Sequence, residues 1–279
     1  MTLRCATPSD VQTIAACLLA QPLATVFARN NVRRHGLWTD GPASHPHQTR
    51  FWVDTDGAIA LGLTNAGIVL PCHPVGADMG PLCAALRGQT VAGVIGPVQL
   101  ARPLLAGLAL QDRPLQLDTD EPHMRLALRD LGVPEGPGIL AQGTAHRDVL
   151  IDWRLASNRE TGAGAQMRDG AEREITTWIA EDRVRVLCID DRPVAMTGFN
   201  AVLPDTVQIG GVFTPPPLRR KGYAARAVAL HLAEARGAGV RTATLFAASD
   251  GAARLYDALG FAHVGHMALV LFQSPQVVP

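Results

Sequence analysis

The chain has 279 residues, which is long for one compact domain and sufficient for two. Apolar residues make up 47% of it and charged residues 18%, so the chain can bury a sizeable core and is not of the disordered class. The formal net charge is zero, which argues against a nucleic-acid-binding or membrane-surface protein.

Three further features bear on location. The five cysteines are scattered without paired spacing, which is typical of reduced thiols in the cytoplasm. The first twenty positions lack a basic region followed by a continuous apolar run, so no secretory signal is predicted. No stretch approaches the ~18 uninterrupted apolar residues of a membrane span. We therefore expect a soluble cytoplasmic protein without a membrane or nucleic-acid partner.

The N-terminal half alternates short helices and strands. Ser9-Asp10 can cap a helix that carries Val11, Ile14, Leu18 and Leu19 on one face. The pattern then predicts strands within 51–70, a helix at 79–87, a strand at 90–96 and a helix at 98–110, with turns at Asp56-Gly57 and Asn65-Ala66-Gly67. Residues 120–133 have helical or mixed character. The Gly- and Pro-rich segment 132–140 is typical of an inter-domain crossing.

From about residue 145 the elements follow in clear order. The predicted helices and strands are helices at 146–164 and 171–182, three strands within 183–214, a helix at 223–236, a strand at 241–248, a helix at 250–260 and a strand at 261–272. Turns separate the three central strands at 190–192 and 203–205. This order predicts a mixed α/β fold, with one domain at 1–140 and a second at 145–279.

A cationic cluster precedes the helix at 223–236. The positive end of a helix dipole disfavours cations, so three of them at 219–221 indicate that an anion binds there. Small residues at positions 222 and 224 let an anion approach the backbone, where the first N–H groups of the helix are free to bind it. The predicted phosphate-binding residues are Arg219, Arg220, Lys221, Gly222, Tyr223 and Ala224.

The strand before this loop contains two adjacent glycines. Gly210-Gly211 in an otherwise β-branched strand predicts a bulge or the close approach of another backbone or a ligand. A splayed strand end would leave backbone groups of Val212 and Thr214 free to pair with an amide-bearing ligand. An amide chain joined to a pyrophosphate describes coenzyme A.

A second motif follows the strand at 241–248. Ser249, Ala252, Tyr256 and Gly260-Phe261 are spaced so that Ala252 and Tyr256 share one helix face. A phenol has a reference pKa near ~10 and can protonate a departing thiolate.

Together the two motifs resemble the GNAT superfamily of acyl-CoA-dependent N-acetyltransferases over about 145–272. The resemblance implies a GNAT-like mixed sheet flanked by helices, with acetyl-CoA as co-substrate and a primary amine, on a small molecule or a protein, as acceptor. It implies cofactor contacts along the strand end, at the phosphate loop and on the second motif: Val212, Phe213, Thr214, 219–224, Ser249 and Ala252. Tyr256 would then be the general acid near the coenzyme sulfur. The family often has Asn where this chain has Ser249.

The general base is less defined by the sequence. Residues 206–214 hold no carboxylate, so Glu160, at the end of an early helix, is the preferred candidate. Asp205 could act through water, and a base is dispensable if the amine binds partly neutral. No metal site is predicted, because His45-Pro46-His47 has no carboxylate or thiol partner in sequence.

The first half shows no such motifs and is expected to be a degenerate GNAT-like or accessory domain. Residues 91–108 and 209–232 share a strand, a Gly-Val pair, a proline and a helix, which indicates either a decayed duplicate or chance. Two alternative functions concern the whole chain. A nucleoside-triphosphate enzyme lacks its motifs here, since neither GxxxxGK[ST] nor GxGxxG occurs. A noncatalytic acyl-CoA-binding or sensor protein on the same fold stays open.

Overall fold

The computed structural model describes residues 3–54, 58–164 and 167–279. The α-helices are α1 (Val11–Ala20), α2 (Val26–His35), α3 (Met79–Leu86), α4 (Val98–Gly107), α5 (Arg147–Thr161), α6 (Arg168–Ala180), α7 (Tyr223–Gly237) and α8 (Asp250–Ala258). The strands are β1 (Arg4–Cys5), β2 (Thr49–Val53), β3 (Ile59–Thr64), β4 (Ile68–Pro71), β5 (Thr90–Pro97), β6 (Leu115–Ala127), β7 (Ile139–Gln142), β8 (Val184–Ile189), β9 (Arg192–Val202), β10 (Thr206–Phe213), β11 (Thr242–Phe246) and β12 (Ala262–Val277).

The chain forms two compact units, and the first comprises Met1–Glu121 together with His266–Pro279. Its strands lie in the order β1-β2-β3-β4-β5-β12. Only β4 and β5 pair in parallel in this described set, and the other neighbours are antiparallel. Helices α3 and α4 bury their leucines against β5 and the C-terminal strand, which completes the core of the first unit.

The second unit, Pro122–Gly265, has strands in the order β7-β8-β9-β10-β11-β6. Here β10 and β11 are the parallel pair, and the described neighbours on either side are antiparallel. Helices α7 and α8 pack on one face, with Val207 and Ile209 of β10. Helices α5 and α6 pack on the opposite face, where Met196 and Phe213 contribute. The predicted mixed α/β fold is confirmed.

The two units share one topology, so the chain is a structural repeat. Strand β4 takes the place of β10, and β5 takes the place of β11. The similarity between 91–108 and 209–232 therefore matched the wrong elements, because it set β5 and α4 beside β10 and α7. Short apolar strands followed by helices look alike in sequence, and only the parallel pairing distinguishes them.

The loop that corresponds to the cationic one joins β4 to α3. It contains no lysine or arginine, and its acid Asp78 caps α3 by accepting a hydrogen bond of 3.0 Å from the Gly80 amide. A carboxylate thus caps this helix at the N-cap position, where the second unit has Gly222 preceded by cations. The first half was expected to lack a basic phosphate loop, and the β4–α3 loop, which is the structural counterpart of the cationic loop, has neither lysine nor arginine.

The first boundary between the two compact units lies at Glu121–Pro122, whereas the predicted domains were 1–140 and 145–279. The division falls inside β6, in a segment that was expected to have helical or mixed character and is instead a strand. Residues 132–140 lie within the second unit, where the Arg226 guanidinium donates to the carbonyls of Pro134 and Pro137. Long strands with alternating polar residues resemble amphipathic helices in a short window, which explains the error.

Most other elements were predicted within a few residues. The turn at 65–67 and the turns at 190–192 and 203–205 are confirmed, and Asp190 and Asp191 both have positive φ, as a tight hairpin requires. The turn at Asp56-Gly57 lies outside the described residues. Val11 and Leu19 are largely exposed, unlike the buried Ile14 and Leu18. Helix α2 was not predicted, since its sequence is mostly polar.

No helix in the described ranges is long and apolar enough to cross a membrane.

The second unit buries two histidines deeply, His231 and His123. His231 stacks on Phe199 with ring centroids 3.8 Å apart, and its Nδ1 has no hydrogen-bond partner among the described residues. Burial, with a smaller contribution from Arg185, lowers the pKa of His231 to about 3, and burial lowers the pKa of His123 to about 4.

These histidines should make the fold sensitive to acid. Both are neutral when folded and bind protons near the reference pKa of ~6.5 when unfolded, so stability is full above that pH and falls as the pH drops toward 4. Each contributes a slope of up to about 1.4 kcal/mol per pH unit in that range. Replacing His231→Leu should flatten the decline in urea titrations between pH 7.5 and 4.5. The exposed His266→Leu serves as control, and an equal slope in both variants would contradict the assignment.

Candidate functional site

Strand β10 is interrupted by a bulge. Gly210 pairs with Gly198 of β9, but the next recorded pair joins Phe213 to Met196, so β10 has one extra residue in this stretch. Gly211 has φ of +59°, which favours glycine. The bulge predicted at Gly210-Gly211 is confirmed.

The glycines are required by the side chains packed against them. A Cβ at Gly211 would lie 2.5 Å from the Trp178 indole, and one at Gly198 would lie 2.4 Å from the same ring. A Cβ at Gly210 would lie 2.1 Å from the amide of Asn200. The indole of α6 therefore rests directly on the backbone of two neighbouring strands, and this contact holds the bulge in place.

The end of β10 separates from β11. In the part of the chain that the structure describes, the parallel ladder pairs only Thr206–Gln208 with Thr242–Thr244. The side chains of Val212 and Phe213 lie on opposite faces of the sheet, since Val212 packs with the α7–α8 core and Phe213 with the α5–α6 core.

Thr214 differs in part from the prediction. Its carbonyl was expected to be free for a ligand, but it accepts a 2.9 Å hydrogen bond from Nε of Arg219. Its hydroxyl Oγ1 is buried without a hydrogen-bond partner among the described residues. A buried, unpaired hydroxyl at a strand end costs free energy unless a ligand satisfies it, so this atom fits a polar ligand at the separated strands.

The entrance of α7 has the features of an anion site. Gly222 is the N-cap residue, with φ of +78°, and the structure shows no side-chain cap there. A Cβ at Gly222 would meet nothing within 4 Å, so the approach to the first amides of the helix is open. Arg220 and Lys221 are exposed, and within the described chain neither has an ion-pair partner. Two uncompensated cations beside free amides are suited to bind phosphate.

Arg219 is used differently from its two neighbours. Its Nη2 donates to both carboxylate oxygens of Glu160 at 2.8 Å, and its guanidinium lies 5.6 Å from the centre of the Phe213 ring. The structure thus joins the predicted base to the first residue of the predicted phosphate loop. Both groups are partly exposed, so the ion pair orients the loop more than it stabilises the fold.

The residues of the second motif stabilise helix α8 and its ends. Ser249 caps α8 by accepting a 3.2 Å hydrogen bond from the Ala252 amide. Tyr256 is buried and packs edge-to-face on Phe261, with ring centroids 5.5 Å apart. Gly260, with φ of +90°, makes the turn between them. Burial raises the pKa of Tyr256, so its phenol stays protonated at any physiological pH.

Apart from Glu160, the sequence did not indicate what α5 and α6 contribute to this site. Trp153 lies 6.2 Å from Phe213, and Arg154 stacks over Trp178 with its Cζ 4.9 Å from the ring centre. The only signal was the run of glycines in β9 and β10, which predicts a bulky neighbour. Nothing in the sequence indicates which side chain that neighbour is.

Comparison with known proteins agrees with this geometry. Residues 149–261 match the family model described as the Acetyltransferase (GNAT) family. This match spans both predicted motifs and covers less than half of the chain, so it shows a GNAT-family domain within the second unit. No curated protein matches the sequence.

Solved structures extend the fold assignment to the whole chain. A Drosophila protein aligns with a TM-score of 0.66 at 15% identity, covering 96% of this chain and 98% of that one. A GCN5-related N-acetyltransferase from Sphaerobacter thermophilus gives 0.60 at 17% identity, covering 99% and 96%. A tandem GNAT protein from the clavulanic acid biosynthesis pathway gives 0.57 at 16%, covering 96% and 97%. At these identities the likeness concerns the fold, which is a tandem GNAT arrangement.

The packing of Trp178 against the bulge can be tested with the substitution Gly211→Ala. The added methyl would collide with the indole and would hold an alanine at positive φ, so we expect a loss of at least about 2 kcal/mol of unfolding free energy. Gly237→Ala is the control, because a Cβ there meets nothing within 4 Å. Urea titration of both variants measures the difference, and a Gly211→Ala protein as stable as the control would refute the described packing.

Proposed function

We propose that the second unit is an N-acetyltransferase that moves an acetyl group from acetyl-CoA to a primary amine by direct attack. The observation that carries the proposal is the entrance of α7, where Arg220 and Lys221 have no ion-pair partner among the described residues and the helix start has no side-chain cap. The phosphates of the coenzyme supply the anion that these groups lack. The hydroxyl of Thr214, which has no hydrogen-bond partner among the described residues, and the separated ends of β10 and β11 support an amide-bearing arm leading away from that loop.

Tyr256 is proposed as the proton donor to the leaving sulfur. Its raised pKa keeps the donor in place but makes the phenol a weaker acid, so a hydrogen bond to the developing thiolate is the main contribution. The amine forms the new C–N bond, the C–S bond breaks, and the proton lost by the amine must reach a base or solvent.

Glu160 is proposed as that base. Its carboxylate forms an ion pair with Arg219 at 2.8 Å, beside the proposed phosphate loop. The same ion pair occupies both of its oxygens, so Arg219 has to release Glu160 before a proton can be accepted. An anion bound at the α7 entrance would compete for this guanidinium and so link cofactor binding to the release of the base.

Coenzyme A binding is tested at Gly222. Gly222→Glu adds bulk and negative charge at the open helix start, and we expect calorimetry to show no measurable binding of coenzyme A. Gly237→Glu adds the same group at the other end of the same helix, also in open space, and should bind as the wild type does. Wild-type affinity in Gly222→Glu would exclude the proposed phosphate site.

The chemical role is tested by Tyr256→Phe. The ring keeps its packing on Phe261 and only the hydroxyl is lost, so coenzyme A affinity should be unchanged. We expect kcat to fall about 10²-fold, the lower end for a positioned acid, because the phenol acts mainly as a hydrogen-bond donor. A kcat near the wild-type value at saturating acetyl-CoA would limit Tyr256 to packing.

A noncatalytic acyl-CoA-binding protein is the alternative. It predicts normal coenzyme A binding with no acetyl transfer to any member of a panel of small amines, amino acids and lysine peptides. Measured turnover with one of these acceptors decides between the two functions.

A further inference from the structure

The side chain of Arg154 is held at the bulge by two contacts. Its Nε donates to Oε2 of Glu174 on α6 at 2.5 Å, and its guanidinium stacks on the Trp178 indole. Only 15% of the side chain is exposed. An arginine fixed by both an ion pair and an aromatic face has a defined orientation, because little rotamer freedom is left.

The far edge of this guanidinium has no hydrogen-bond partner among the residues that the structure describes. Its contacts within the described ranges are those with Glu174 and Trp178, so the N–H groups on Nη1 and Nη2 make no hydrogen bond there. A guanidinium carries five donors, and in the described part of the chain Arg154 uses only the one on Nε. Nη1 lies 3.4 Å from the position of a Cβ at Gly211, so the unused edge adjoins the backbone of the bulge.

We propose that this edge of Arg154 binds a carboxylate on the acceptor, so that the substrates are amines that also carry a carboxylate group. Two parallel N–H groups match the two oxygens of a carboxylate. The site lies at the bulge of β10, upstream of the α7 entrance, which is already supplied with cations for phosphate. The neighbouring Glu174 offsets the charge of Arg154 and favours a substrate that carries its own ammonium group.

A purely structural role explains less of the geometry. The pair of Arg154 and Glu174 ties α5 to α6, but Arg147 and Glu172 tie the same two helices two turns earlier, at 2.5 Å. That outer pair is more exposed and does not stack on an aromatic ring in the described structure. It therefore provides a matched control for an ion pair between α5 and α6 without the unused edge at the bulge.

The proposal rests on the proposed acetyl transfer, and its test compares acids with their amides. For pairs such as glycine and glycinamide, we expect wild-type kcat/KM to favour the acid by about 10- to 100-fold, the usual contribution of hydrogen bonds between charged groups. Arg154→Gln should abolish this preference and leave the value for the amide nearly unchanged. Arg147→Gln should keep the preference.

Equal use of acid and amide by the wild type would overturn the proposal, as would a preference that survives in Arg154→Gln. If Arg154→Gln does not fold, Arg154→Lys retains the charge without the two-pronged edge and should lose most of the preference.

A lack of turnover would count against acetyl transfer and not against the carboxylate site. The readout is then calorimetry of N-acetylglycine and N-acetylglycinamide with the protein saturated with coenzyme A. Tighter binding of the acid by the wild type but not by Arg154→Gln supports the site. No difference between the two ligands refutes it.

Discussion

The packing of one indole on bare backbone determines the geometry of the second unit. Trp178 occupies the space that side chains would need at Gly198 of β9 and Gly211 of β10. Both positions must therefore be glycine for the two strands to lie side by side under the indole. The positive φ at Gly211 then turns the end of β10 away from regular pairing. The polar end of the strand, the proposed coenzyme path and the seat of Arg154 all follow from this contact.

The cations at the α7 entrance are used in two ways. Arg219 is held by Glu160 and by the Thr214 carbonyl, whereas Arg220 and Lys221 extend into solvent. A loop with only unpaired cations would repel itself and the helix dipole in the absence of an anion. The ion pair between Arg219 and Glu160 of α5 therefore gives the loop a defined shape before any ligand binds. This reduces the conformational entropy that the loop loses on binding.

The sequence predicted those features that depend on local backbone chemistry. The bulge, the glycine at the helix start and the hairpin turns each require residues with special φ values, and such residues are visible one by one. It did not predict features that depend on contacts across the fold. Arg154 meets Glu174 only because α5 lies beside α6, and the ion pair of Glu160 with Arg219 joins positions 59 residues apart.

The repeat shows the same limit at a larger scale. A decayed duplicate was indicated by strand, proline and helix, yet the matched elements were displaced by one strand. Parallel pairing of β4 with β5 and of β10 with β11 is what identifies the counterparts, and pairing leaves no mark in one sequence. The segment of β6 was likewise ambiguous, since alternation over a few residues fits a helix face as well as a strand.

The placement of the last strand affects how the chain can fold during synthesis. The first unit takes its strand beside β5 from His266–Pro279, whereas the second unit is complete once residue 265 has been made. Until residues 266–279 have been made, β5 has an open edge whose backbone groups can pair with other chains. The half that leaves the ribosome first is thus the last to finish folding, and it needs protection from aggregation while the second half is translated.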